Sequence, residues 1–187
     1  KSMGYSPAAF LNAQMRLRGL PNLNTVNIEG FETPTEFNGI NDGFKFFITN
    51  HEMPYRGSAF LTSYLNEFNN GWSFNLTDTA QAGTNEETPF AQLQVAPWMQ
   101  YPNRMNRLMK YYKVKDVSEI TNEMQLKYTI IDMFFCYPES YKVLMDPNAS
   151  SQELHKAITD YLGFNIGDAD TQKVVQENAN KLLKVID

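Results

Sequence analysis

Asp116-Val-Ser-Glu-Ile-Thr-Asn-Glu-Met-Gln-Leu-Lys-Tyr-Thr-Ile-Ile-Asp-Met-Phe-Phe-Cys-Tyr-Pro138 is the stretch whose reading decides the fold. It opens on the Asp116-x-x-Glu119 form of a capping box, in which the first side chain accepts from a backbone N–H and the Glu reaches back. Val117, Ile120, Met124, Ile131 and Phe134 or Phe135 then recur at helical spacing. Pro138 ends the run, because a proline ring inside a helix clashes with the preceding turn. The spacing predicts one helix over residues 117–136, the longest and most central of the chain. Within it, Cys136 lies in the apolar run 133–137 and reads as a small buried hydrophobe.

Downstream, residues 139–145 fit a short helix ended by Asp146-Pro147. Ser150-Ser-Gln-Glu153 is a second capping box, leading a helix with Leu154, Ala157, Ile158, Tyr161 and Leu162 inward and Gly163 as its stop. His155, beside inward Leu154, is expected to face solvent. Asp170 is placed as the cap of a last helix carrying Val174, Val175, Ala179, Leu182 and Ile186. Upstream, Pro102 opens a helix with Met105, Leu108, Met109 and Tyr112 inward.

The N-terminal half is punctuated differently. Ser6-Pro7 opens a helix over residues 8–18, closed by Gly19 and Pro21. Residues 22–56 read as irregular, with Val26 and Ile28 alternating like a short strand and a compact aromatic run at 43–49. Ser58 is placed as the cap of a helix whose Phe60, Leu61, Tyr64, Leu65 and Phe68 share a face. Trp72, Phe74 and Leu76 suggest an edge strand, and residues 77–88 carry no large apolar anchor, so a mobile loop is expected there. Thr88-Pro89 opens a short helix ended near Pro97. The sequence therefore predicts one mainly α domain over residues 1–187. Its C-terminal half (102–187) is expected to be a helical bundle of six to seven helices, and 1–101 is loop-rich and aromatic with room for a small β element. Beginning at Lys1 without an apolar leader, the chain reads as a processed product or a piece of something longer.

Composition narrows the function classes. Thirteen Phe, ten Tyr and two Trp in 187 residues are too much aromatic surface for a disordered coil. No apolar run approaches the ~18 residues of a membrane span, so no membrane is expected as a partner. The net charge of -5 gives no global attraction for nucleic acid or anionic lipid. A single Cys excludes an internal disulfide and a cysteine zinc cage. Two sequons, at Asn75 and Asn148, fall in a chain with 19 Asn, where chance matches are expected. The compartment stays open.

Recognisable catalytic patterns are missing from the sequence. His51-Glu52 is followed by Tyr55 where a zinc-protease helix needs a second His, and there is no phosphate-binding glycine loop or nucleophile elbow. Asp168-x-Asp170 lacks the rest of a calcium loop, so both read as capping carboxylates. No metal or cofactor is expected. The one enzymatic reading is a glycan- or cell-wall-acting hydrolase. It would use loop carboxylates among Glu29, Glu32, Glu36 and Asp42, with Glu29 and Glu36 foremost, and Trp72, Trp98 and Tyr101 to stack on sugars. Solvated surface acids are the plainer account.

Charge gives the sharper local signal. Between Glu87 and Asp116 there is no acid, but Arg104, Arg107, Lys110, Lys113 and Lys115 are all basic. The first four, spaced by three, form a drifting stripe on one helix face, with Trp98, Tyr101, Tyr111 and Tyr112 beside it. Such a patch suits an acidic protein surface, or single-stranded nucleic acid, where phosphates pair with cations and bases stack. The plainer account is a solvated helix face. The leading expectation is a non-enzymatic structural or protein-interaction module, self-associating or part of a larger, virion-like assembly. Its contact residues would be Arg104, Arg107, Lys110, Lys113, Trp98, Tyr101, Tyr111 and Trp72.

Overall fold

The computed structural model describes residues 40–68, 96–99, 102–163 and 169–184. They form seven α-helices, α1 (Ile40–His51), α2 (Tyr55–Phe68), α3 (Pro102–Tyr112), α4 (Asn122–Cys136), α5 (Pro138–Leu144), α6 (Ser151–Leu162) and α7 (Ala169–Leu183). Two 3-10 turns, Pro97–Met99 and Val117–Glu119, complete them, and there is no strand among the described residues. The mainly α class follows. The helix expected over 8–18, the strands at Val26–Ile28 and 72–76, the loop at 77–88 and the helix after Thr88 all lie outside the described residues.

Residues 40–51, read as part of an irregular stretch, are helical. Phe44, Phe46, Phe47 and Ile48 are buried along α1, and that burial outweighs the local Gly and Asn signals. Glu52 then takes a left-handed conformation (φ 57°), turning the chain into α2.

The hub is α2, not the 117–136 segment. Ten of its fourteen residues are buried, from Tyr55 and Gly57 to Leu65. It packs most extensively on α7 and α1, and also meets α5 and α6. Small side chains allow this close approach: a Cβ on Gly57 would collide with the Leu144 carbonyl oxygen of α5. Ser58 does not cap the helix. It sits inside it, and its buried Oγ donates to the Phe44 carbonyl at 2.8 Å, tying α2 to α1.

The decisive stretch is two elements instead of one helix. Asp116 and Glu119 do close a capping box, but over a single 3-10 turn, after which Ile120 is extended. Thr121 starts again: its Oγ1 accepts from Met124 N at 3.1 Å and caps α4. The hydroxyl competes with the helical ladder, as Thr does near helix starts. The buried face of α4 is also different from the expected one, comprising Gln125, Leu126, Tyr128, Thr129, Ile130, Asp132 and Met133. Val117, Ile120 and Ile131 are only partly buried, and Phe134, Phe135 and Cys136 are exposed.

The C-terminal helices match the sequence closely. Ser150 and Glu153 form their box, Gly163 ends α6 at φ 82°, and Leu154, Ala157, Ile158, Tyr161 and Leu162 are buried. In α7, Val175, Ala179 and Leu182 face the core while Val174 faces solvent, and Ile186 lies outside the described residues. Asp170 lies within the first turn of that helix, not ahead of it.

Candidate functional site

A polar stripe runs down the buried side of α4. Gln125, Thr129 and Asp132 stand at i, i+4 and i+7, so they align on one face. Gln125 Oε1 accepts from Ala96 N at 2.7 Å and Thr129 Oγ1 accepts from Trp98 Nε1 at 3.0 Å, pinning the 97–99 turn to α4. Asp132 receives two arginines from α3: Arg104 Nε at 3.0 Å, and Arg107 through Nε at 2.8 Å and Nη2 at 3.0 Å.

Arg104 is 3% exposed. Its remaining donors go to the Trp98 carbonyl (2.8 Å), the Tyr161 carbonyl (3.0 Å) and Tyr137 Oη (3.2 Å). Its guanidinium stacks on the Tyr161 ring at 3.9 Å. One side chain thus joins α3, α4, α6 and the 97–99 turn. Arg107 is part-exposed, and its hydrogen bond to Asp132 raises its pKa further, so it stays charged at any working pH.

The basic stripe is therefore not a single surface. Arg104 faces inward and Arg107 is held by Asp132, which leaves Lys110, Lys113 and Lys115 exposed beside Tyr111. Trp98 is fully buried and cannot stack on a sugar or base from outside. Tyr101, Trp72, Glu29, Glu32 and Glu36 lie outside the described residues. Asp42 sits in the first turn of α1, on a helix and not in a loop.

Burial is the main influence on the shifted titratable groups of the described core. Burial, then the positive charge of Lys127, lowers His51 to about 4, and its Nε2 is enclosed without a hydrogen-bond partner. His155, expected at the surface, is buried where α6 meets α2: Nδ1 meets Tyr64 Oη and the Phe60 ring packs edge-on. Burial lowers its pKa, partly offset by a hydrogen bond to Gln176 of α7. Burial pushes the Tyr112 and Tyr128 phenols up to about 12. The exposed Cys136 thiol is also raised, by partial desolvation and then by Asp132, so it is not an activated thiolate. Among the described residues no group of three or more His, Cys, Asp or Glu side chains could hold a metal ion, and no helix is long and apolar enough to cross a membrane.

Asp132 is the residue that the sequence pattern hid. Its signal was available as the polar Gln125, Thr129, Asp132 repeat, on a different face from the Met124 and Ile131 stripe. No family model matches the chain, and neither a curated protein nor a solved structure matches it.

Proposed function

We propose that the chain is a non-enzymatic protein-interaction module that takes an acidic partner segment on the outer side of α3 and the turn after it. One observation carries the reading: the described carboxylates on the neighbouring elements, the 117–119 turn and α4, are already committed elsewhere. Asp132 holds Arg104 and Arg107, Asp116 and Glu119 close a capping box, and Glu123 pairs with Lys127 at 2.9 Å. Lys110, Lys113 and Lys115 form no ion pair among the described residues. Tyr111, 52% exposed, stands between them, packed against Tyr112 and Tyr128 and so held in place as an aromatic anchor. Lys113 takes a left-handed conformation (φ 56°) at the end of α3, a costly geometry for a long side chain.

An acidic protein is favoured over single-stranded nucleic acid because the burial of Trp98 leaves Tyr111 as the only largely exposed aromatic on the described part of this face. A stacking platform for successive bases needs more. The test is fluorescence titration with a glutamate-rich peptide and, in parallel, a single-stranded oligonucleotide. Peptide binding should weaken as salt rises from about 50 to about 200 mM. It should fall several-fold in the Lys110→Glu/Lys115→Glu variant with folding unchanged, since clustered charges act together on association. Preference for the oligonucleotide, or peptide binding indifferent to both salt and the variant, would overturn the reading.

A further inference from the structure

Two arginines share one carboxylate where α3 meets α4. Asp132 Oδ2 accepts from Arg104 Nε and Arg107 Nη2, each at 3.0 Å, and Oδ1 accepts from Arg107 Nε at 2.8 Å. A guanidinium is not deprotonated in a protein, so two fixed positive charges face at most one negative charge. The surplus meets water unevenly. The Asp132 and Arg104 side chains are 0% and 4% exposed, whereas that of Arg107 is 37% exposed. Arg104 also directs its remaining donors inward, to the Trp98 and Tyr161 carbonyls and Tyr137 Oη. Arg107 differs. Both of its contacts to Asp132 run along the Nε–Nη2 edge of the guanidinium, and neither uses Nη1. The Nη1–Nη2 edge of the same planar fork matches a second carboxylate equally well.

The surroundings of Arg107 suit an anion. The groups that act on it are Asp132, Cys136 and Tyr128, so no second described carboxylate balances its charge. Tyr128 and Cys136 stand one turn either side of Asp132 on α4. Tyr128 is 5% exposed. Burial and then Asp132 push its phenol up to about 12 against the pull of Arg107, so at neutral pH it keeps its proton and is a donor. Lys110 and Tyr111 follow Arg107 by three and four residues, on the same exposed face of α3. Building on the acidic-partner reading, we propose that Arg107 is the anchor of that site: one carboxylate of the partner seats on the Nη1–Nη2 edge of its guanidinium, beside Tyr128 and Lys110. Asp132 already fixes the fork, so little side-chain freedom is lost when the partner arrives. The lysines recognise charge alone, but the fork recognises a planar group. The partner's anchor is therefore an Asp or Glu side chain at one position.

The test uses the full chain and the same glutamate-rich peptide. Arg107→Lys keeps the charge and removes the fork, so peptide affinity should fall about fivefold or more, with the helical circular dichroism retained. Lys110→Arg, which keeps a cation at a site that reads only charge, should bind the peptide as the parent does. A second measurement needs no substitution. Cys136 is the chain's only cysteine, and Arg107 favours its thiolate, the form that iodoacetamide alkylates. A carboxylate on Arg107 cancels that pull, so saturating peptide should slow alkylation several-fold. Docking on the lysines alone would leave the rate unchanged, because Cys136 lies about 12 Å along α4 beyond Tyr128. Where Arg107→Lys fails to fold, the alkylation rate of the unaltered chain decides. Peptide binding that weakens in Lys110→Glu/Lys115→Glu but is untouched by Arg107→Lys, or that leaves the Cys136 rate unchanged, would overturn the anchor and leave the acidic-partner reading standing. No binding of the peptide at all would overturn both.

Discussion

Asp132 Oδ2 lies 3.0 Å from Arg104 Nε in a site where Asp132 is fully buried and Arg104 nearly so. Arg107 approaches the same carboxylate from the rim of the cluster, with its own side chain 37% exposed. A buried charge without its partner is far costlier than a pair lost at the surface, because water cannot take the partner's place. The two arginines therefore have unequal roles, although three-residue spacing puts them on one sequence stripe.

Replacing Asp132 by Ala should cost about 3–5 kcal/mol in urea unfolding, since Arg104 would be left enclosed without its counter-charge. Arg107→Ala should cost about 1 kcal/mol, discounted for its exposure. Equal losses in the two variants would show that Arg104 finds compensation elsewhere.

Gly57→Ala tests the close approach of α2 and α5. The added methyl meets the Leu144 carbonyl oxygen, a backbone atom that cannot swing aside, with the Met53 side chain at 3.3 Å. Overpacking of this kind costs about 1–3 kcal/mol, so the usual helical gain from Gly to Ala should be reversed. A variant more stable than the parent would mean that α5 shifts freely against α2.

Local signals were legible and tertiary ones were not. Ser150, Glu153 and Gly163 act within four residues of chain, and α6 begins and ends where they say. Asp116 and Glu119 likewise form the box that their spacing predicts, yet no local signal marks Thr121, two residues beyond it, as the start of a second helix. The inward face of α4 was misassigned because its stripe is polar: Gln125, Thr129 and Asp132 are buried only since Ala96, Trp98, Arg104 and Arg107 arrive from elsewhere to meet them. The burial of His155 is hidden from local sequence for the same reason, as its partner Tyr64 lies 91 residues away. The exposed Phe134 and Phe135 were the cost of assuming that hydrophobic residues at helical spacing must face the core.

The corrected face of α4 can be checked by truncation. Met133 is fully buried, so Met133→Ala should cost about 2–5 kcal/mol. Phe134→Ala, one residue on, should cost under about 1 kcal/mol, as an exposed side chain leaves no cavity. If Phe134→Ala proved the more damaging, α4 would be rotated relative to the arrangement described.

Acidification should weaken the fold through its two histidines before the capping carboxylates Asp116 and Glu153 respond. His51, lowered to about 4, and His155, also lowered, are held neutral in the folded state, against an ordinary value of 6.5. A folded-state pKa below the unfolded one means that the unfolded chain binds more protons between the two values. The stabilisation is therefore complete above pH 6.5 and lost as pH falls from 6.5 towards the folded values. Each histidine contributes a slope of at most about 1.4 kcal/mol per pH unit, and less where water reaches the ring. Asp116 and Glu153, depressed by their capping hydrogen bonds from ordinary values of 3.8 and 4.5, act only in a lower window. Urea unfolding at pH 7.5, 6.0 and 5.0 should thus show little change above 6.5 and a steady fall below it. Much of that fall should vanish in His51→Asn/His155→Gln, whose lower overall stability should be nearly flat across the same range. A double variant as pH-sensitive as the parent would assign the acid response to groups other than the two histidines.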